Sequence, residues 1–284
     1  MISFLDNALF SLPWPFPLLI ILASMAVIAV LAYAKRTLDL GGTLSAYLLG
    51  AITLWILRFG GFLLLVVFFI SCNIVGKVSE SIRKQRRTVE VGEKKGHRRD
   101  AMQVMANGLM AVIAALIWFF GARDQALIMF GAALAESTGD TFAGEIGRLS
   151  RRTPVSIRTL KQVTPGVSGG VTVLGILAAF LSSAFISLLW YVFFSDAGYG
   201  VTFPGALLVC LLGFAGTIVD SYLGATVQAL YYDPESKALT EKEEVDGRKL
   251  ELSRGIRWVD NDMVNLISNV FSAVFALGMG ALIL

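Results

Sequence analysis

Long apolar segments separated by basic loops constrain this chain more than any other feature. Of its 284 residues, 56% are hydrophobic and only 16% are charged, whereas soluble domains carry about 25% charged residues. A transmembrane helix needs about 20 apolar residues, so the length accommodates about eight spans and no separate soluble domain. The predicted fold is an all-α polytopic membrane protein, one integral membrane domain over residues 1–284, with a small cytoplasmic loop or hairpin region.

Eight transmembrane helices are predicted from the apolar runs, and the second and third are shorter than a full span. They cover residues 16–34, 42–57, 60–75, 102–120, 125–144, 171–194, 203–230 and 261–284. The polar stretch 231–257 is predicted to form one or two short hairpins or an irregular cap. Cys72 and Cys210 lie inside apolar runs and are interpreted as small buried hydrophobic residues, and His97 as solvated.

The distribution of positive charge predicts the orientation. All of the 24 Lys and Arg residues except Arg58 and Arg123 lie in four alternate loops. Because cytoplasmic loops retain positive charge, these four loops are predicted to be cytoplasmic and both termini to lie outside. The expected location is the plasma (inner) membrane. Most of the basic residues, Arg87 among them, are interpreted as topology determinants and contacts to lipid headgroups.

Several predicted helices carry carboxylates and carboxamides on one face, which is costly in a bilayer unless these groups are paired or functional. In the fifth helix, Glu136 and Asp140 lie about 40° apart around the axis. Two such carboxylates repel unless a cation, a proton or a basic group separates them. In the seventh helix, Asp220 and Gln228 share a face with Gly224. The alternative is a set of hydrogen bonds that only link the helices.

The starts of the fourth and eighth helices add further polar residues. Asp262, Asn265 and Asn269 share one face of the eighth helix, and helix capping could account for one of them. The fourth helix carries Asp100, Gln103 and Asn107 on one face. In the predicted topology all these groups lie in the inner half of the membrane, where their oxygen atoms are suited to Mg²⁺.

A glycine-rich turn precedes the sixth predicted helix. It contains Gly166, Ser168, Gly169 and Gly170, and Arg158 and Lys161 come shortly before it. Backbone N–H groups at such a turn can bind phosphate, although a plain loop entering a helix has the same appearance. The Walker pattern is absent, which excludes an ordinary P-loop nucleotide-binding domain.

These motifs together resemble the integral membrane family that includes the phytyl-phosphate kinases of plants and cyanobacteria. The matching stretches are residues 41–46, 99–101, 107–108, 135–147, 165–171, 220–228 and 261–265. The chain departs from the family at Gly139, where Ala is common before Asp-Thr. The resemblance implies phosphoryl transfer from CTP to an isoprenyl monophosphate, giving the diphosphate. There is a looser similarity to dolichol kinases and phosphatidate cytidylyltransferases.

The resulting hypothesis is CTP-dependent kinase chemistry at the cytoplasmic membrane face. Asp140, with Glu136 or Asp220, is predicted to hold Mg²⁺ on the nucleotide, and Asp262 is predicted to belong to the catalytic group. The nucleotide- and phosphate-binding residues are predicted to be Asn107, Arg158, Lys161, Gly166, Ser168, Gly169, Gly170, Gln228 and Asn265. The prenyl tail would lie between helices among membrane lipids.

Three alternatives stay open: a membrane cytidylyltransferase, an ion- or proton-coupled transporter, and a structural scaffold. No nucleic-acid partner is expected. The sequence leaves open whether the protein forms a homo-oligomer.

Overall fold

The computed structural model describes residues 1–86, 98–236 and 238–283. His97 and Arg87, whose roles were predicted above, lie outside the described residues. The helices are α1 (Ile2–Phe10), α2 (Phe16–Ala34), α3 (Leu40–Arg86), α4 (Ala101–Phe119), α5 (Arg123–Gly147), α6 (Val173–Asp196), α7 (Phe203–Thr226) and α8 (Asn261–Ile283). The short strands are β1 (Val155–Ser156), β2 (Gly170–Val171), β3 (Leu230–Asp233), β4 (Ala238–Thr240), β5 (Glu244–Val245), β6 (Arg248–Lys249) and β7 (Glu251–Arg254).

Helix α3 contains two of the predicted helices, joined by a sharp reversal. Its 47 residues would span about 70 Å if they were straight, far more than the hydrocarbon core of a bilayer, about 30 Å. Arg58 breaks the helix with φ 57° and ψ −158°. Phe62 then packs against Ala51 and Leu54 of the preceding arm. The second arm continues to residue 86, into the charged stretch that follows the apolar run ending at residue 75.

Within the described residues, six helices are long and apolar enough to cross a membrane: α2, α3, α4, α6, α7 and α8. The membrane α-helical class is therefore confirmed, whereas the count of eight spans stays a prediction. Two differences account for the smaller number. Helix α3 counts once despite its reversal, and α5 is too polar to meet the same criterion.

Helix α5, the most polar of the long helices, lies at the centre of the fold. It packs against α3, α4, α6, α7 and α8, and its residues from 126 to 139 are all buried. A helix with ionisable residues is costly in contact with lipid. Enclosure by the apolar helices removes that cost, and it brings the ends of several helices around the polar half of α5.

The ends of two predicted helices needed correction. Helix α7 ends at Thr226 rather than residue 230, because Leu230 already belongs to β3, which pairs with β7. Helix α6 begins at Val173 rather than residue 171, because Val171 pairs with Val155 in the β1–β2 ladder. The Thr172 side chain then caps α6 by accepting a hydrogen bond from the Gly175 N–H (3.1 Å).

The strands form the small hairpin region that the polar stretch predicted. Strand β3 lies between β4 and β7 in an antiparallel sheet, and β5 pairs with β6. Helix α1, which the apolar pattern did not predict, lies at the other end of the bundle. There Asp6 accepts a hydrogen bond from the Phe59 N–H (2.9 Å), and the Arg58 guanidinium lies 3.4 Å from the Phe10 ring centroid.

Candidate functional site

A network of buried polar groups joins α5, α7 and α8. The Glu136 carboxylate accepts hydrogen bonds from Ser268 Oγ (2.7 Å) and Asn269 Nδ2 (2.6 Å). Ser268 Oγ also lies 3.1 Å from the Asp220 carboxylate, so one hydroxyl group connects the carboxylates of α5 and α7. This network holds the three helices at a defined separation.

The next polar layer, about one helical turn along α5, contains Asp140, which lies close enough to Asp220 of α7 for the two carboxyl groups to interact. Two ionised carboxylates so close repel each other, and a proton or a cation between them stabilises the pair. The Asn265 side-chain amide satisfies its neighbours only when its nitrogen faces them, and in that orientation it donates to Asp220 Oδ2 (3.1 Å) and to the Asn261 carbonyl (3.0 Å). Arg99 lies close enough to attract Asp140 electrostatically.

A cavity of about 530 Å³ opens on one side of Asp140, and we call it the polar cavity. It lies among α3, α4, α5 and the start of α8. Five basic side chains, drawn from separate parts of the chain, are arranged around it. These are Arg36, Lys77, Arg83, Arg99 and Arg148. Acidic and amide groups share the lining, including Asn107, Asp262 and Asn265.

A second cavity of about 190 Å³ lies on the other side of Asp140, among α5, α6 and α7, and we call it the Gly-turn cavity. The turn from Gly166 to Gly170 forms one wall. Ile176, Ala179 and Ile218 supply an apolar wall. The two cavities share Asp140, Gly144, Arg148, Glu241 and Asn261, so ligands in them would meet at these residues.

Comparison with known proteins identifies the family. Residues 23–273 match the model of the integral membrane protein family DUF92. This chain belongs to that family. The resemblance that the sequence motifs indicated is thereby confirmed.

Members of this family occur in archaea and plants. The chain is 31% identical to uncharacterized membrane protein MJ0933 of Methanocaldococcus jannaschii, over 78% of this chain and 85% of the relative. It is 29% identical to Protein PGR of Arabidopsis thaliana, over 86% and 89% of the two chains. It is 26% identical to the chloroplastic Protein VTE6 of the same plant, over 87% of this chain and 66% of the relative. No solved structure matches it significantly.

In this DUF92 member, most of the predicted site residues come together. Asp140, Asp262, Asn107 and Asn265 line the polar cavity. Asp140 and Asp220 also line the Gly-turn cavity, together with Gly166, Ser168, Gly169, Gly170 and Gln228. Residues as far apart in the sequence as Asn107 and Asn265 are therefore neighbours in one site.

Glu136 has a different position from the one predicted. It is 1% exposed and lines neither cavity, because Ser137, Ser268 and Asn269 surround its carboxylate. This arrangement favours the alternative of hydrogen bonds that link helices. Asp140, one turn further along α5, lines both cavities.

Arg158 and Lys161, which were predicted to bind phosphate, lie outside both cavities. Both side chains are exposed, and neither lines either cavity. The cations that line the cavities are the five named above and Arg152, which lines the Gly-turn cavity. Arg36 lies in a basic segment that was interpreted mainly as a topology determinant. Arg99 belongs to the family-like stretch 99–101, but no role was predicted for it.

The glycine-rich turn also differs from the prediction. It does not open α6 directly, because Gly170 belongs to β2 and Thr172 is the helix cap. The turn is docked on α7 instead: Arg254 Nη2 donates to the Ser168 carbonyl (3.2 Å) and to the Gly224 carbonyl (2.9 Å). Gly169 has φ 78°, and a Cβ atom there would lie 2.3 Å from the Ala225 nitrogen.

Glu241, in the segment after β4, lines both cavities although it was not predicted from the sequence as a site residue. Its carboxylate accepts hydrogen bonds from the Ser168 hydroxyl and from Gln228 Nε2 (2.9 Å). It therefore occupies the donors that were predicted to bind phosphate. Only the tertiary structure brings it there, from a polar loop with no recognisable motif.

Asp100, one of the predicted polar residues, caps α4, and Asp260, a neighbour of the predicted Asp262, caps α8. Asp100 accepts a hydrogen bond from the Gln103 N–H (2.9 Å), and the Gln103 side chain accepts one from the Asp100 N–H (3.2 Å), a capping box. At α8 the cap is Asp260, which accepts from the Met263 N–H (3.1 Å). Asp262 is thus not the cap, and it lines the polar cavity.

The oxygen donors around Asp140 are of the type that Mg²⁺ prefers, but they are too few to hold the ion without further ligands. Within the described residues, no group of three or more His, Cys, Asp and Glu side chains is arranged to hold a metal ion. Mg²⁺ in phosphoryl-transfer enzymes is typically held by one or two carboxylates, with phosphate oxygens and water completing the shell. Asp140 and Asp220, beside the Asn265 amide, meet that smaller requirement.

Proposed function

We propose that this protein transfers the γ-phosphoryl group of CTP to an isoprenyl monophosphate within the membrane. The observation that carries this proposal is the pair of cavities that meet at Asp140 and Arg148. A reaction between two phosphorylated substrates needs two adjoining sites with shared groups at the point of transfer. The resemblance to the phytyl-phosphate kinases supports CTP and an isoprenyl phosphate as the two substrates.

The chemistry requires positioning and charge neutralisation more than a strong base. An oxygen of the acceptor monophosphate attacks the γ-phosphorus, the bond from that phosphorus to the β–γ bridging oxygen breaks, and CDP leaves with the electron pair. Arg148 would neutralise charge that both phosphates bring to the shared region. Asp140 and Asp220 would hold Mg²⁺, which supplies further neutralisation of the phosphate oxygens when bound.

The structure of α5 favours this reaction over ion or proton transport. Residues Ala126 to Ala135 are apolar and buried, between Asp124 at one end of the helix and Glu136 on the other side of them. A transport path needs polar groups or water along its length. A site confined to one end of the bundle needs none.

Purified protein in lipid nanodiscs, with Mg²⁺, γ-labelled CTP and phytyl, farnesyl or geranylgeranyl monophosphate, tests the proposal. We expect label in the prenyl diphosphate and release of CDP. Release of pyrophosphate with cytidine in the lipid product would instead establish the cytidylyltransferase alternative. ATP and GTP in parallel reactions measure the nucleotide preference. No product from any acceptor would refute the proposal.

A further inference from the structure

Building on the proposed phosphotransfer, we infer which substrate each cavity binds: the nucleoside triphosphate in the polar cavity, and the isoprenyl phosphate in the Gly-turn cavity. The hydrocarbon chain of the second substrate leaves the protein between α6 and α7. The inference depends on the size, the lining and the surroundings of the two cavities.

The volumes of the two cavities are the first property that distinguishes which substrate each can hold. Sites for ligands of nucleotide size usually enclose about 300–1,000 Å³. The polar cavity, at about 530 Å³, lies within that range. The Gly-turn cavity, at about 190 Å³, is too small for a base, a ribose and three phosphates. It has room for a phosphate group and the first part of a lipid chain.

The lining separates them again. Apart from Cys72 and glycines, the polar cavity is surrounded by polar and charged side chains, as a triphosphate and its sugar require. The five cations from four separate segments can contact several phosphate groups at once. The Gly-turn cavity instead places Ile176 and Ala179 of α6 opposite Ile218 of α7. Such an apolar wall is suited to the first methylene groups of a prenyl chain.

The surroundings of the Gly-turn cavity continue the apolar wall into the membrane. One turn beyond Ile176 and Ile218, Phe180 and Phe214 meet edge to face, with ring centroids 5.6 Å apart. The outer face of α6 is apolar and exposed here, at Leu177 and Leu181. A prenyl chain that enters the bilayer along this face stays in an apolar environment and exposes no apolar surface to water. Its placement there therefore adds little to the free-energy cost of binding.

The phosphate end of this substrate would lie beside Arg148 and the turn that contains Ser168. Both cavities share Arg148 and Asp140. The acceptor oxygen and the γ-phosphorus can thus approach each other from opposite sides, as an in-line transfer requires.

Two substitutions, each with a matched control, test this assignment. Gly76→Trp fills the polar cavity, because Gly76 lines it and no atom lies within 4 Å of an added Cβ; Gly76→Ala is its control. Ile218→Trp fills the Gly-turn cavity, and Ile218→Leu is its control. The measurements are the Kd of Mg-CTP by equilibrium dialysis and the KM of phytyl monophosphate in nanodiscs.

We expect Gly76→Trp to raise the Kd of Mg-CTP at least tenfold and to leave binding of phytyl monophosphate within twofold. We expect Ile218→Trp to raise the KM of phytyl monophosphate at least tenfold, with an unchanged Kd of Mg-CTP. Each control should fold as the unsubstituted protein does and should show a smaller effect on its ligand than the matching Trp variant. The reverse pattern, or equal effects of both Trp variants on both ligands, would overturn the assignment.

The failure of this inference is distinguishable from the failure of the proposed function. If the unsubstituted protein makes no prenyl diphosphate, the function is wrong. If it turns over and the variants show the reversed pattern, only the assignment is wrong. Asn73→Leu in the polar cavity and Ile176→Trp in the Gly-turn cavity repeat the test at independent positions, should either first variant fail to elute as a single folded species.

Discussion

Replacing Asn269 by Leu should destabilise the contact between α5 and α8 more than any single hydroxyl deletion on the same helix. Asn269 is buried, and its Nδ2 group lies 2.8 Å from the Ala133 carbonyl, 2.6 Å from Glu136 Oε2 and 2.9 Å from Ser137 Oγ. Leucine has a similar volume, so the substitution removes the two N–H donors without leaving a large cavity. A carbonyl and a carboxylate then lose a donor in an apolar environment.

The expected loss is about 2 kcal/mol in the free energy of unfolding. Hydrogen bonds between helices in membranes average about 0.6 kcal/mol and reach about 1.7 kcal/mol. The bond to the Glu136 carboxylate lies near the upper value, because its acceptor is charged, and the bond to the Ala133 carbonyl lies near the average, so together they give about 2 kcal/mol. Such a loss corresponds to a change of about 30-fold in the unfolding equilibrium constant.

The matched control is Ser272→Ala, three residues further along α8. Ser272 is equally buried, but it makes one hydrogen bond, to the Leu212 carbonyl of α7 (2.9 Å). We expect a loss of about 0.6 kcal/mol there. Reversible unfolding in mixed micelles, followed by tryptophan fluorescence, measures both variants.

The reasoning would be refuted if the two variants lost the same stability, or if Asn269→Leu were as stable as the unsubstituted protein. Activity supplies a second readout. Since the same network sets the positions of Asp140 and Asn265, Asn269→Leu should also lower kcat for prenyl diphosphate formation, whereas Ser272→Ala should leave it within twofold.

Three further predictions concern the site itself. Asp140→Asn should lower kcat by about 100-fold or more, the usual cost of removing one group that stabilises charge in the transition state. Asp124→Asn, at the far end of the same helix, is the control. Full activity of the Asp140 variant would contradict the proposal that Asp140 holds the metal ion. Gly169→Ala should lower the melting temperature by preventing the glycine-rich turn from docking on α7, because φ is 78° and the new Cβ would overlap the Ala225 nitrogen. Gly144→Ala, with no atom near an added Cβ, should keep the melting temperature of the unsubstituted protein. Equal melting temperatures for the two variants would contradict this explanation. Glu241→Gln should lower the KM of phytyl monophosphate several-fold. The Glu241 carboxylate accepts hydrogen bonds from Ser168 and Gln228 and therefore competes with a phosphate for the same donors. A raised KM would indicate that Glu241 supports binding instead.

The membrane class, the grouping of polar residues on helix faces and the family could be predicted from the sequence alone, because each depends on residues that are close together in the chain. Apolar run lengths decided the membrane class, and the helical period placed Asp262 and Asn265 on one face of α8. The motifs around Asp140 and Gly169 identified the family before the fold was known. Each of these inferences depends on residues close together in the chain, where backbone geometry alone sets the spacing.

The tertiary structure decided which of these residues line the cavities. Periodicity placed Glu136 and Asp140 on the same face of α5, but it could not give their depth or their neighbours. Packing of α8 surrounds Glu136 with donors and leaves Asp140, one turn away, at the junction of two cavities. Likewise Arg158 lies close to the glycine-rich turn in sequence but outside the cavities, whereas Glu241 reaches Ser168 from 73 residues away. Contacts between distant segments depend on how whole helices pack around α5, and no local pattern in the sequence contains that information.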